Sequence, residues 1–106
     1  MKTQVSIHHH DYPSGMRHLV EEKLGELLRF CNAITSMEAH LEKQASVHRV
    51  EIIANVPHGP VLVADGRADG VRGALDEALS RMARKLKRSR EKQTTERRRA
   101  MRHPEA

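Results

Sequence analysis

Residues 71–92, VRGALDEALSRMARKLKRSREK, decide how this chain folds. Val71, Leu75, Ala78, Leu79, Met82 and Leu86 fall at i, i+4, i+7, i+8, i+11 and i+15. At roughly 100° per residue these positions share one stripe, so the segment reads as an amphipathic helix docked on a core. A second stripe runs beside the first. Arg81, Arg84, Lys85, Arg88 and Lys92 follow at i, i+3, i+4, i+7 and i+11, which sets five cations along one flank. From Arg81 to Arg102 there are eleven Lys or Arg against only Glu91 and Glu96. Helices on soluble proteins usually alternate the sign of their surface charge. Here like charges repel one another, a cost that makes sense if a polyanion is the intended neighbour.

The same imbalance governs the whole chain. Its formal net charge of +5 is unevenly spread over 106 residues. Residues 1–70 carry seven Lys/Arg against nine Asp/Glu, and residues 71–106 carry twelve against five, so the two parts stand at −2 and +7. The C-terminal third alone makes the chain basic, which points to nucleic acid or another anionic surface. A chain of this length suggests a single domain that buries roughly two thirds of its unfolded surface. Tyr12 and Phe30 are its only aromatics, so the core has to be aliphatic. With Cys31 as the sole cysteine, an intramolecular disulfide or a cysteine-based metal cluster is impossible. No apolar run approaches the ~20 residues of a membrane span, and the N-terminus lacks the apolar stretch of a signal peptide. The expectation is a cytoplasmic protein.

Outward from the basic helix, the rest of the chain supplies a sheet and a second helix. Lys2–His8 alternates, with Val5 and Ile7 on one side and Gln4 and Ser6 on the other, as in a half-buried strand. Residues 8–13 follow as a turn, with Ser14 as the expected N-cap of the first helix. Met16, Leu19, Val20, Leu24, Leu27, Leu28 and Cys31 trace a helical stripe over about residues 15–31, which Asn32 closes. Met37, Ala39 and Leu41 then alternate with Glu38, His40 and Glu42, and Val50, Ile52, Ala54 and Val56 with Glu51 and Asn55. Ile53 alone breaks the polar side. Residues 43–46 suit a hairpin, and residues 57–60, PHGP, a second turn. Val61 and Val63 begin a fourth strand expected to end near Asp65 and Gly66. From Gln93 onward the apolar periodicity is lost, so residues 1–92 read as the folded domain and 93–106 as a basic tail, flexible or a frayed helical extension.

The order β-α-β-β-β-α predicts a two-layer α+β domain with two helices on one face of a four-stranded mixed sheet. Strands one and two should be parallel, joined by a right-handed crossover. The last three should form an antiparallel meander. The open face, with Gln4, Glu38, His40, Glu42, Glu51 and Asn55, should be wet.

The order, the length and several local motifs resemble the short type of ribosome hibernation-promoting factor, also called ribosome-associated inhibitor. The residues that carry the resemblance in the first half are Arg17, the run VEEKL at residues 20–24, and the ITS at residues 34–36. In the second helix they are the ALD at residues 74–76, Arg81-Met82 where the family usually has Lys-Leu, the LKR at residues 86–88, and the REK at residues 90–92. The likeness spans about residues 3–92. It implies a fold like that of a double-stranded-RNA-binding domain and a place in the messenger and transfer RNA channel of the small ribosomal subunit, where such proteins keep idle ribosomes silent under stress and in stationary phase. It carries RNA binding onto Arg81, Arg84, Lys85, Arg88 and Lys92, more loosely onto Lys87 and Arg90, and onto Arg17 and Lys23 in the first helix. Arg72 departs from the aromatic residue common near that position. As a short-type protein by this resemblance, it is expected to be without the extra C-terminal dimerisation domain of the long type, not to pair ribosomes by itself, and to be a monomer when free.

Other motifs weigh less. His8, His9 and His10 are consecutive on an extended chain and point in different directions, so they read as a polar turn rather than a metal site. The remaining histidines are scattered and read as surface residues. Cys31 sits on the apolar stripe and reads as a buried structural thiol. There is no glycine-flanked serine, phosphate-cradling glycine loop or helical His-Glu-x-x-His, so neither catalysis, a cofactor nor a small-molecule substrate is expected. The near absence of aromatics argues against base-by-base reading of single strands and for recognition of RNA shape and backbone. Two other classes fit the same charge. One is a general structured-RNA or DNA-binding module, and the other is a regulatory module whose basic helix meets an acidic protein.

Overall fold

The structure, a computed structural model, describes residues 2–8, 12–57 and 59–102, with side chains as far as Lys92. Residues 9–11 of the first expected turn, His58, and the last four residues of the tail, His103 among them, lie outside the described residues.

Along the chain run β1 (Lys2–His8), α1 (Met16–Glu26) with a 3-10 turn at Leu27–Arg29, β2 (Ser36–Gln44), β3 (Val47–Asn55), β4 (Leu62–Ala68) and α2 (Val71–Arg102). The sheet order is β1-β2-β3-β4, parallel between β1 and β2 and antiparallel thereafter. This is the two-layer α+β arrangement anticipated from the residue pattern. The register places Val5 beside Ala39, Ala39 beside Ile52, and Ile52 beside Ala64, so one row of apolar residues crosses the helix-facing side of all four strands.

Against that row the helices press their stripes. Val20, Leu24, Met37, Leu41, Val50, Ile52, Leu75, Met82 and Leu86 are fully buried. Each such aliphatic side chain contributes about 1.5–3 kcal/mol relative to exposure. α2 buries Ala74, Leu75, Ala78, Met82 and Leu86, with Val71, Leu79 and Ala83 partly covered. Beyond Leu86 the helix continues to Arg102, into the segment expected to be either flexible or a helical extension.

Local detail departs from the sequence reading in four places. α1 begins at Met16 with Gly15 as its N-cap, and the Met16 N–H is taken by the Pro13 carbonyl, so Ser14 does not cap it. The α-helix ends at Glu26 and tightens to a 3-10 turn, so its helical run is shorter than residues 15–31. The β2–β3 hairpin is closed by only two residues, Ala45 and Ser46, and Ala45 takes a φ of 56°. The fourth strand runs from Leu62 to Ala68, two residues past Gly66, and turns Ala64 and Gly66 toward α2, while Val61 and Val63 stay exposed.

Gly66 explains that orientation. A Cβ at Gly66 would lie 2.2 Å from the Ala74 carbonyl oxygen and 2.6 Å from the Ala78 nitrogen. The backbone of α2 therefore crosses β4 at a distance only glycine permits. This close crossing fixes which flank of α2 overhangs the β4 edge.

Candidate nucleic-acid interface

α2 lays its apolar stripe on the sheet, so its cation flank has to stand over the β4 edge. That edge is free of any strand partner, and free edges expose backbone groups that recruit other chains. Here the helix covers them. Arg81 Nη1 donates to the Asp65 carbonyl at 2.9 Å, and Lys85 Nζ donates to the Val63 carbonyl. The opposite edge is treated in the same way, with Arg17 Nη1 donating to the Val5 carbonyl of β1. Three of the cations assigned to RNA from sequence thus also seal the two sides of the sheet.

Arg81 is held further. Its Nη2 lies 3.1 Å from Glu77 Oε1, one helical turn back, and its Nη1 lies 4.0 Å from Asp65 Oδ1. Arg84, Lys87, Arg88 and Lys92 differ from it: they are exposed and, among the described residues, make no ion pair. Arg84, Lys85 and Arg88, together with Ala64, Asp65 and Arg81, line an open groove between the β4 edge and α2. The result is a cationic ridge of Arg84, Lys85, Arg88 and Lys92 that ends where Arg81 begins. Lys87 and Arg90 lie on the same length of helix but turn to its other flank, as their spacing from Arg84 requires.

The cations of α1 are not part of that ridge. Arg17 reaches the β1 edge, three strand spacings or roughly 14 Å from β4. Lys23 is half-buried and lies 3.8 Å from Glu26. It lines a second groove, between the helices, with Leu27, Arg29, Phe30, Leu79 and Ala83. The residues assigned from sequence therefore fall in separate places, and α2 carries the continuous one.

The open face of the sheet is wet but not idle. Arg49 contacts Glu51 at 2.9 Å, Glu42 at 3.2 Å and Asp65 at 3.3 Å, and Asp65 also lies 3.7 Å from Arg67. Partial burial works against the Arg49 charge, but the three carboxylates outweigh it and hold the guanidinium above its ordinary pKa. His8 Nε2 and His40 Nδ1 are 3.2 Å apart in near-parallel rings, and His40 Nε2 lies 3.2 Å from Glu38. Tyr12 meets His48 Nδ1 at 3.1 Å, and burial, helped by Glu42, raises the phenol's pKa. Sequence spacing read His8 as part of a polar turn and left His40 and His48 as scattered surface residues. Only the pairing of β1 with β2, and of β2 with β3, brings these partners together. Ile53, which interrupts the polar face, lies opposite Val63 in the register and so has an apolar neighbour there. Cys31 is a free thiol packed partly against the core. Among the described residues no group of three His, Cys, Asp or Glu is arranged to hold a metal ion, and no helix is long and apolar enough to cross a membrane.

Comparison with known proteins places this geometry. The chain is 28% identical over 93 residues to the ribosome hibernation promoting factor of Azotobacter vinelandii, covering 88% of this chain and 86% of that one. Its fold matches the N-terminal domain of Protein Y from Thermus thermophilus, with a TM-score of 0.74 and 22% identity over 83% of this chain and 98% of that one. It also matches a ribosomal subunit interface protein from Coxiella burnetii, with a TM-score of 0.76 and 18% identity over 83% and 96% of the two chains. A family model described as Sigma 54 modulation protein / S30EA ribosomal protein matches residues 3–94, which take in the sheet from the second residue of β1, α1, and α2 through the ridge as far as residue 94, and the chain belongs to that family.

Proposed function

We propose that this protein is a ribosome-associated hibernation factor that docks on the RNA of the small subunit, in the channel of messenger and transfer RNA, and silences idle ribosomes without catalysis. The observation that carries the reading is the ridge of Arg84, Lys85, Arg88 and Lys92, exposed along α2 and, among the described residues, engaged in no ion pair. Cations in a row on a rigid helix track a phosphate backbone and release its condensed counterions, and they do so without reading base sequence. A single structured domain can therefore recognise a folded RNA wall by shape and charge. The relative from Azotobacter vinelandii, named for ribosome hibernation, supports the same reading.

Sedimentation tests it. In lysates of stationary-phase cells the protein should travel with small subunits or whole ribosomes, and purified small subunits should retain it against an excess of plain duplex RNA. Retention that duplex competes away would favour a general RNA-binding module. Sedimentation free of ribosomes would favour an acidic protein partner.

A further inference from the structure

The ridge does not fade out; it stops. Between Arg81 and Arg84 the surface changes sign within one turn of α2. On one side are Arg84, Lys85, Arg88 and Lys92. On the other, Arg49, Arg67 and Arg81 are matched against Glu42, Glu51, Asp65 and Glu77, three cations against four carboxylates. Asp65 is at the boundary and, among the described residues, is the carboxylate that lines the cationic groove. One of its carboxylate oxygens faces Arg49 and Arg67, the other faces Arg81, and its carbonyl accepts from Arg81 as well.

We propose that Asp65 is a specificity-determining residue that ends the RNA-binding ridge, by holding Arg81 out of use and repelling phosphate from that end of the groove. The proposal rests on the reading of the ridge as an RNA site. It assigns to Asp65 and its helper Glu77 the choice of which RNA fits. With Arg81 neutralised, the usable ridge from Arg84 to Lys92 spans about 12 Å of helix. An extended duplex, which could otherwise run on past Arg81, meets a carboxylate there. A concave RNA wall that needs only the short ridge does not. Discrimination of this kind works by a repulsive element against the wrong partner rather than by extra contacts to the right one.

The test compares the intact chain with Asp65→Asn, which keeps the side chain's shape and removes its charge. Affinity for plain duplex RNA and for purified small subunits is measured across a salt series. D65N should bind plain duplex roughly 3–10 times more tightly, gain less on small subunits, and steepen the salt slope on duplex by about 0.7–0.9, the signature of one added phosphate contact. Arg81→Gln should cost more duplex affinity in a background carrying both D65N and E77Q than in the wild-type chain, because there both carboxylates that face Arg81 have lost their charge. Thermal melts report whether D65N folds. If it does not, Glu77→Gln, which loses contacts only to Arg81 and the Arg67 N–H, carries the test and should give a smaller gain of the same sign. Unchanged or weakened duplex binding by the folded variant, beside wild-type binding that does depend on salt, would overturn the role of Asp65 and leave the ridge standing. Wild-type binding that ignores salt would overturn both.

Discussion

Arg49, on the open face of the sheet, and Arg84, on α2, are surface arginines in opposite electrostatic settings. Arg49 is 31% exposed and shares its guanidinium among Glu42, Glu51 and Asp65. Arg84 is exposed and, among the described residues, makes no ion pair. The first arrangement contributes to folding, because a cation surrounded by carboxylates completes its own pairing within the chain. The second contributes nothing to folding and leaves its charge available. Surface arginine as such is therefore uninformative. What separates a structural cation from a binding one is whether the fold has already supplied the counter-charge.

Charge reversal at Arg84, Lys85 and Arg88 should break this contrast most visibly. Affinity of the triple Glu variant for small subunits should fall at least about 100-fold, since three attractive contacts become repulsive. Its melting temperature should stay within a few degrees of wild type, as these side chains lie off the apolar stripe. A variant that unfolds instead would show that the ridge carries structural weight.

Gly66→Ala approaches the same ridge from beneath. The added methyl has no room against the backbone of α2, so the helix has to lift from β4, at a cost of about 3 kcal/mol in a denaturant titration. Arg49→Ala should cost about 1 kcal/mol, the ordinary effect of breaking a partly exposed ion network, and change ribosome affinity less than about twofold. A larger loss of affinity would mean that the sheet face also touches RNA. Ala45→Gly relieves the positive φ of the hairpin turn and should stabilise the fold by about 0.5 kcal/mol, with binding unaltered.

These residues also mark what the sequence could and could not convey. The stripe of Leu75, Ala78, Met82 and Leu86 was legible because helical periodicity is a local property, and so were the alternating strands 2 and 3. Once the order of elements was known, the parallel pairing of β1 with β2 followed from the helix between them. The orientation of β4 was not legible. Val61 and Val63 are stronger strand formers than Ala64 and Gly66, and only the closeness of α2 explains why the small residues face inward. The cation flank was visible as spacing; the pairing of Arg81 with Glu77 one turn before it was not read, although its i, i+4 spacing is local. Asp65 was not legible, because its three arginines come from β3, β4 and α2, and contacts made across the fold leave no spacing to read.

The most direct test of the account is the salt dependence of binding to intact small subunits. With three to four phosphates neutralised by Arg84, Lys85, Arg88 and Lys92, log affinity should fall linearly with log salt at a slope of roughly −2 to −4. A flat dependence, with affinity retained at high salt, would contradict it.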